Sequence, residues 1–183
     1  LTVRQQLTDG GFSTAVTVTN TGSEPMPFCL GAHTGFRCPL DPGESFTDYD
    51  IVFPQRETCP TLVPDGEGMD WNRTLPCLED TDTLPLAYRW FDELDTLIFH
   101  GLKSQSVRLV SRKSGRGVEV SFPGWPMLAF WTMPHKQAPY LCIEPWHGCS
   151  AVAGEGPELA DKAFCITLAP GESRTLDYQV KTL

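Results

Sequence analysis

From Phe12 to Thr19 the chain alternates apolar and polar residues, and β-branched side chains dominate the run. Successive side chains of a strand point to opposite faces, so a period of two predicts a strand with one face buried. The same reading predicts strands over 49–53, 96–99, 106–110, 117–122, 127–132, 140–144, 164–168 and 175–180. Turn signals separate them: Asp9-Gly10-Gly11, Thr21-Gly22-Ser23-Glu24-Pro25, Asp41-Pro42-Gly43, Ser114-Gly115-Arg116-Gly117 and Pro170-Gly171-Glu172. Glycine supplies positive φ in such turns, and Asp and Ser side chains bond their own backbone there.

No window of a dozen residues carries an apolar stripe at helical spacing, and sixteen Gly with sixteen Pro leave little room for long helices. Short strands joined by Gly/Pro turns predict an all-β fold, an antiparallel β-sandwich formed as a single domain over residues 1–183. Residues 17–28 and 168–180 each read as strand, turn and strand, hence as two β-hairpins. Residues 54–87, rich in Pro, Asp, Glu and Leu, are the least strand-like and predict a long excursion containing a short hairpin. The first residues read as the middle of a strand, as in a chain lacking an N-terminal portion.

Charge narrows the partners. With 14 basic against 23 acidic residues the net charge is −9, which argues against nucleic acid, since phosphate binding needs a basic patch. No stretch approaches the roughly 18 apolar residues of a membrane-spanning helix, so no membrane partner is expected. The seven cysteines, at 29, 38, 59, 77, 142, 149 and 165, form no CxxC pair, and several sit in apolar runs. Buried thiols in a reducing cytoplasm explain this better than disulfides or a zinc site, so no metal is expected.

Four histidines can be weighed singly. His33 lies among small residues in Gly31-Ala32-His33-Thr34-Gly35, which would let a ligand approach the backbone. His100 follows an apolar strand, His135 lies in a loop, and His147 follows Glu144-Pro145-Trp146. For any one of them alone, a structural or surface role is the default. Glu144 is more telling, because it ends the apolar strand Tyr140-Leu141-Cys142-Ile143. A carboxylate there is costly unless it has a partner or a task, and away from water its pKa would rise toward that of a general base. A solvated Glu at a strand end is the competing reading. Asp95, just before the strand over 96–99, can accept hydrogen bonds from sugar hydroxyls or simply cap a turn. Of the five tryptophans, Trp146 stands beside Glu144 in a turn and offers a flat face to a ligand; core packing is the default for the others.

Taken in order, Asn20-Thr21-Gly22-Ser23-Glu24-Pro25, then Gly31-Ala32-His33-Thr34-Gly35-Phe36, Asp95-Thr96-Leu97-Ile98-Phe99, Cys142-Ile143-Glu144-Pro145-Trp146-His147-Gly148 and Leu168-Ala169-Pro170-Gly171-Glu172 resemble the bacterial aldose 1-epimerase-like proteins. The resemblance spans nearly the entire chain. It implies a galactose mutarotase-like supersandwich acting on a hexose without metal or organic cofactor. It matches His33 to the general acid at the ring oxygen, Glu144 to the general base at the anomeric hydroxyl and Asp95 to a ligand of the sugar hydroxyls.

One departure weighs on that expectation. The family carries an N-terminal block with further strands, an Arg and a second His that contact the sugar, and no counterpart is found here. Part of the cleft wall would then be missing, and an open sheet edge would invite a homodimer. The leading expectation is an aldose mutarotase, with a non-catalytic carbohydrate-binding domain or an inactive fragment as the alternative. A phosphosugar would need a basic pocket, and Arg37, Arg73, Arg89 and Lys136 are scattered in sequence, which favours a neutral sugar.

Overall fold

In a computed structural model, residues 1–64 and 68–183 are described. The first strands are β1 (Thr2–Thr8), β2 (Gly11–Thr19), β3 (Met26–Phe28), β4 (Leu30–Gly31) and β5 (Thr34–Arg37). A long pair follows, β6 (Tyr49–Leu62) and β7 (Thr74–Pro85), then a short helix α1 (Tyr88–Leu94). The remaining strands are β8 (Thr96–His100), β9 (Ser106–Ser111), β10 (Gly117–Ser121), β11 (Met127–Trp131), β12 (Tyr140–His147), β13 (Ile166–Leu168) and β14 (Ser173–Thr182). The expected all-β, antiparallel architecture is present. One large sheet runs β1-β2-β14-β10-β9-β6-β8-β11-β12-β4, with β5 also on β12 and β7 on β6, while β13 and β3 form a separate small sheet.

The large sheet curls around one core. Leu97 and Phe99 of β8, Leu128 and Phe130 of β11, Leu141 and Ile143 of β12, and Leu176, Tyr178 and Val180 of β14 all bury into the same cluster. These are alternate residues of their strands, so the period of two read from the sequence is what divides inner from outer face. The opposite face of β8, β11 and β12 carries a second, smaller cluster of Leu62, Met69, Ile98, Met127, Ala129 and Val152. Removing a side chain such as Leu97 or Ile143 from water contributes about 1.5–3 kcal/mol each.

Two expectations about connectivity need correction. Residues 17–28 and 168–180 do not fold back as hairpins: β2 pairs with β14, and β3 pairs with β13. Both segments are corners that pass from the large sheet to the small one, side by side. Buried Asn20 ties them, its Nδ2 donating to the carbonyls of Glu24 at 2.7 Å and Leu168 at 3.0 Å. Its backbone accepts from Gly171 N–H and donates to the carbonyl of Glu172. A Gly/Pro turn signal marks where the chain bends but says nothing about which strand will be its neighbour.

Residues 54–87 are likewise more regular than expected. Fourteen-residue β6 and twelve-residue β7 form a long antiparallel ribbon with three register shifts, at which the pairing skips residues. Among the described residues β7 pairs only with β6 in the sheet, so Pro76 and Pro85 cost no inner ladder bond, and the bulges absorb the broken alternation that hid the strands. Buried Glu57 holds the far side of the ribbon, accepting from the backbone N–H groups of Lys103 at 3.1 Å and Ser104 at 2.8 Å.

The helix α1 was not readable from a stripe, because seven residues hold few turns of one. It buries Phe91 and ends at Asp95, whose φ of 62° is tolerated because Asp bonds locally in the left-handed region. No helix among the described residues is long and apolar enough to cross a membrane.

Candidate active site

The outer face of β12 presents Cys142, Glu144 and Trp146 in alternation, opposite in direction to the core residues Leu141 and Ile143. Register fixes their neighbours. Glu144 lies across from Ala129 of β11, Ala129 from Ile98 of β8, and Ile98 from Leu62 of β6. Three buried apolar side chains thus run across the sheet and end on a carboxylate. Cys142 faces Gly35 and Trp131, while Trp146 faces Gly31 and Met127.

His33 occupies the two-residue link between β4 and β5. The link is pinned to β12 by Ala32 N–H, which donates to the carbonyl of Pro145 at 3.0 Å. His33 Nε2 consequently stands 3.3 Å from Glu144 Oε1, with the imidazole side chain 61% exposed and the carboxylate side chain 4% exposed. The ring also meets Trp131 edge-on at 5.7 Å.

Glu144 is held unequally at its two oxygens. Oε2 accepts from the indole N–H of Trp146 at 3.3 Å. Oε1 is buried and has no hydrogen-bond partner among the described residues, its approach to His33 being electrostatic contact without hydrogen-bond geometry. Burial pushes the carboxyl pKa above its ordinary value, and the nearby imidazole and the Trp146 bond only partly oppose this. A buried acceptor left unbonded costs about 1–3 kcal/mol, so this oxygen is poised for an incoming donor.

The expected residues are not all equally close. His33, Glu144 and Trp146 converge. Asp95 sits exposed at the end of α1, where its Oδ2 accepts from the Thr96 hydroxyl at 2.8 Å. Thr96 is the ladder partner of Trp131, which places Asp95 at the border of the same sheet region. His135 lies elsewhere, its backbone N–H donating to Asp92 Oδ1 at 2.6 Å. His147 Nδ1 lies 2.9 Å from the carbonyl of Phe164.

An aromatic group absent from the sequence expectation completes the face. The His100 ring lies 5.0 Å from Trp71 and 6.4 Å from Phe164, and Trp71 meets Phe164 edge-on at 5.9 Å. His100 is the partner of Met127, which in turn faces Trp146. Its parity with Thr96 and Ile98 on β8 was the one available sign. Beside Trp146 a cavity of about 310 Å³ opens, lined by Leu30, Gly31, His147 and Cys149 among others; His33 and Glu144 do not line it. All seven cysteines are free.

Comparison with known proteins identifies the family and the fold. The aldose 1-epimerase family model matches residues 1–181. Protein LacX of Lactococcus lactis subsp. lactis is 37% identical over 169 residues, covering 91% of this chain and 56% of LacX. The chain therefore spans about half the length of that relative. A galactose mutarotase related enzyme from Lactobacillus acidophilus superposes with a TM-score of 0.90 at 26% identity, over 99% of this chain and 60% of that one. A galactose mutarotase-like protein from Lactobacillus casei gives 0.82 at 29% identity, over 99% and 62%. With a family match over nearly its whole length and a relative above one-third identity, the chain belongs to the aldose 1-epimerase family.

Proposed function

We propose that the protein interconverts the α and β anomers of a neutral hexose, with Glu144 and His33 as the acid–base pair. The observation that carries this reading is the buried, unbonded Glu144 Oε1 facing the exposed imidazole of His33 at 3.3 Å. Glu144 takes the proton from the anomeric hydroxyl, and the C1–O5 bond breaks as O1 becomes the aldehyde oxygen. His33 delivers a proton to O5, giving the open-chain sugar. Rotation about C1–C2 presents the other carbonyl face; on closure His33 takes back the proton from O5 as it attacks C1, and Glu144 returns its proton to O1. A positioned acid or base contributes typically 10²–10⁴-fold, and both act here on one substrate atom pair. Trp146 orients the carboxylate through its N–H and offers an indole face to the sugar, and Asp95 accepts from a sugar hydroxyl.

A second reading is a carbohydrate-binding domain without turnover, favoured by the cavity beside Trp146, which His33 and Glu144 do not line. One experiment separates the two. The anomer ratio of freshly dissolved glucose and galactose is followed by NMR with wild type and Glu144→Gln. Acceleration by wild type alone is expected; equal rates with folded wild type, variant and buffer would leave only the binding reading.

A further inference from the structure

We propose that the site also holds a thiophilic divalent cation such as Zn²⁺, with His33 Nε2, Glu144 Oε1 and Cys142 Sγ as its three protein ligands. One imidazole nitrogen, the sulfur and one carboxylate oxygen of these residues all lie within 4.8 Å of one another. In a tetrahedral zinc site with bonds of about 2.0–2.3 Å, ligand atoms stand roughly 3.3–3.7 Å apart. The His33–Glu144 separation of 3.3 Å already meets that spacing. Cys142 is 4% exposed and Glu144 3% exposed, so two of the ligands are fixed on a strand inside the sheet. The third, His33, sits on a short link with its side chain exposed, so the imidazole can shift by the roughly one ångström that separates the 4.8 Å bound from tetrahedral spacing.

Two further features point at a ligand. Glu144 Oε1 is a buried acceptor with no hydrogen-bond partner among the described residues, and a cation satisfies such an oxygen as well as a hydroxyl does. Gly35, the ladder partner of Cys142, places no side chain against the sulfur, where an added Cβ would stand in van der Waals contact at 3.5 Å from Sγ. The donor set of one sulfur, one imidazole and one carboxylate suits Zn²⁺ and is poor for Mg²⁺ or Ca²⁺, which prefer oxygen alone. On binding, the Cys142 thiol proton leaves to solvent and the thiolate replaces it with the metal. His33 is the exposed member of the set, so the fourth position would be reached by solvent from its side.

A cation there engages both groups of the proposed acid–base pair. Resting on that reading, Zn²⁺ acts as an inhibitor competitive with the sugar, and removal by a chelator restores turnover.

The test titrates Co²⁺ into metal-free protein and follows the thiolate-to-cobalt charge-transfer band, with Zn²⁺ affinity measured against a chromophoric chelator. One equivalent with a thiolate band is expected, the band vanishing in Cys142→Ser and the Zn²⁺ affinity falling at least tenfold in His33→Gln. Because His33 is exposed, that second variant keeps the test decisive should Cys142→Ser fold poorly. Cys29→Ser and Cys165→Ser should bind as wild type. A band that survives Cys142→Ser but is lost with Cys29 or Cys165, unchanged affinity in His33→Gln, or no thiolate band with folded wild type would each overturn the site. These readouts need no sugar, so absent mutarotation would count against the proposed activity and leave the metal result standing.

Discussion

Gly31 and Trp146 face each other across the β4–β12 ladder, and a Cβ added to Gly31 would stand 3.0 Å from Cδ1 of the indole. That contact is tighter than side chains ordinarily accept, so Gly31→Ala must push the ring aside. The same ring donates to Glu144 Oε2 and forms part of the cavity wall. Gly31 sits at an edge strand, where the fold has room to adjust. We therefore expect Gly31→Ala to raise KM for the sugar several-fold, with a stability change below about 1 kcal/mol, as is usual for substitutions outside the core. Tryptophan fluorescence titration with sugar and a thermal melt would check both halves; unchanged binding would mean the indole plays no part in the site.

Glu144→Gln should separate stability from activity. Burial raises the carboxyl pKa in the folded state, so the folded protein holds this proton more tightly than the unfolded chain does. Below the ordinary carboxylate range the group costs nothing; as pH rises through the folded value, ionising it in place removes stability. The neutral amide avoids that loss. The variant should therefore be more stable than wild type at pH 7 by about 1 kcal/mol, or roughly 2–4 °C in Tm, with the difference vanishing near pH 4. Turnover should fall by at least about 10²-fold. Urea denaturation at the two pH values decides it, and a variant less stable at pH 7 would contradict the account.

What the sequence made legible follows from what alternation encodes. The strand through Leu141 and Ile143 was readable because its residues are apolar, and Glu144 was conspicuous as a carboxylate at the end of that buried run. Pairing was another matter. The segments around Asn20 and Pro170 look like hairpins locally, yet their partners lie about 150 residues away, bound through one buried asparagine. The β6–β7 ribbon was obscured because its register shifts break the period of two. Trp71, His100 and Phe164 come from three separate segments, and only tertiary packing brings their rings together. His33 was marked in the sequence by its small neighbours and by the family resemblance, but only the Ala32–Pro145 bond shows what sets it against Glu144.

The pH profile of the proposed reaction follows from the same carboxyl. Glu144 must be ionised to take the anomeric proton, so kcat/KM should fall on the acid side through a pKa above the ordinary glutamate value of about 4.3. The imidazole opposes that rise, because a positive charge beside a carboxyl favours its ionised form. Replacing it in His33→Asn should thus move the acid limb to higher pH while reducing the maximal rate. An acid limb at or below 4.3 in wild type, or one that moves to lower pH in the variant, would show that Glu144 is not the base.

Glu57 offers a test of the fold that leaves the site alone. Its carboxylate is 1% exposed and receives two backbone N–H groups, from Lys103 and Ser104, at the turn after β8. Truncation in Glu57→Ala leaves both donors without that acceptor and opens a void between β6 and the turn. Each lost bond to a charged acceptor is worth about 1.5–3 kcal/mol, so the expected cost for the two is about 3–6 kcal/mol. Glu57→Gln keeps one amide oxygen and should cost roughly half as much. Because Lys103 and Ser104 belong neither to the Glu144–His33 pair nor to the lining of the cavity beside Trp146, sugar affinity of the folded fraction should change little in either variant. Urea denaturation of the three proteins gives the ordering wild type, Gln, Ala. If Ala equalled Gln, solvent rather than Glu57 would be satisfying the two donors, and the ribbon would depend on its ladder bonds and apolar contacts alone.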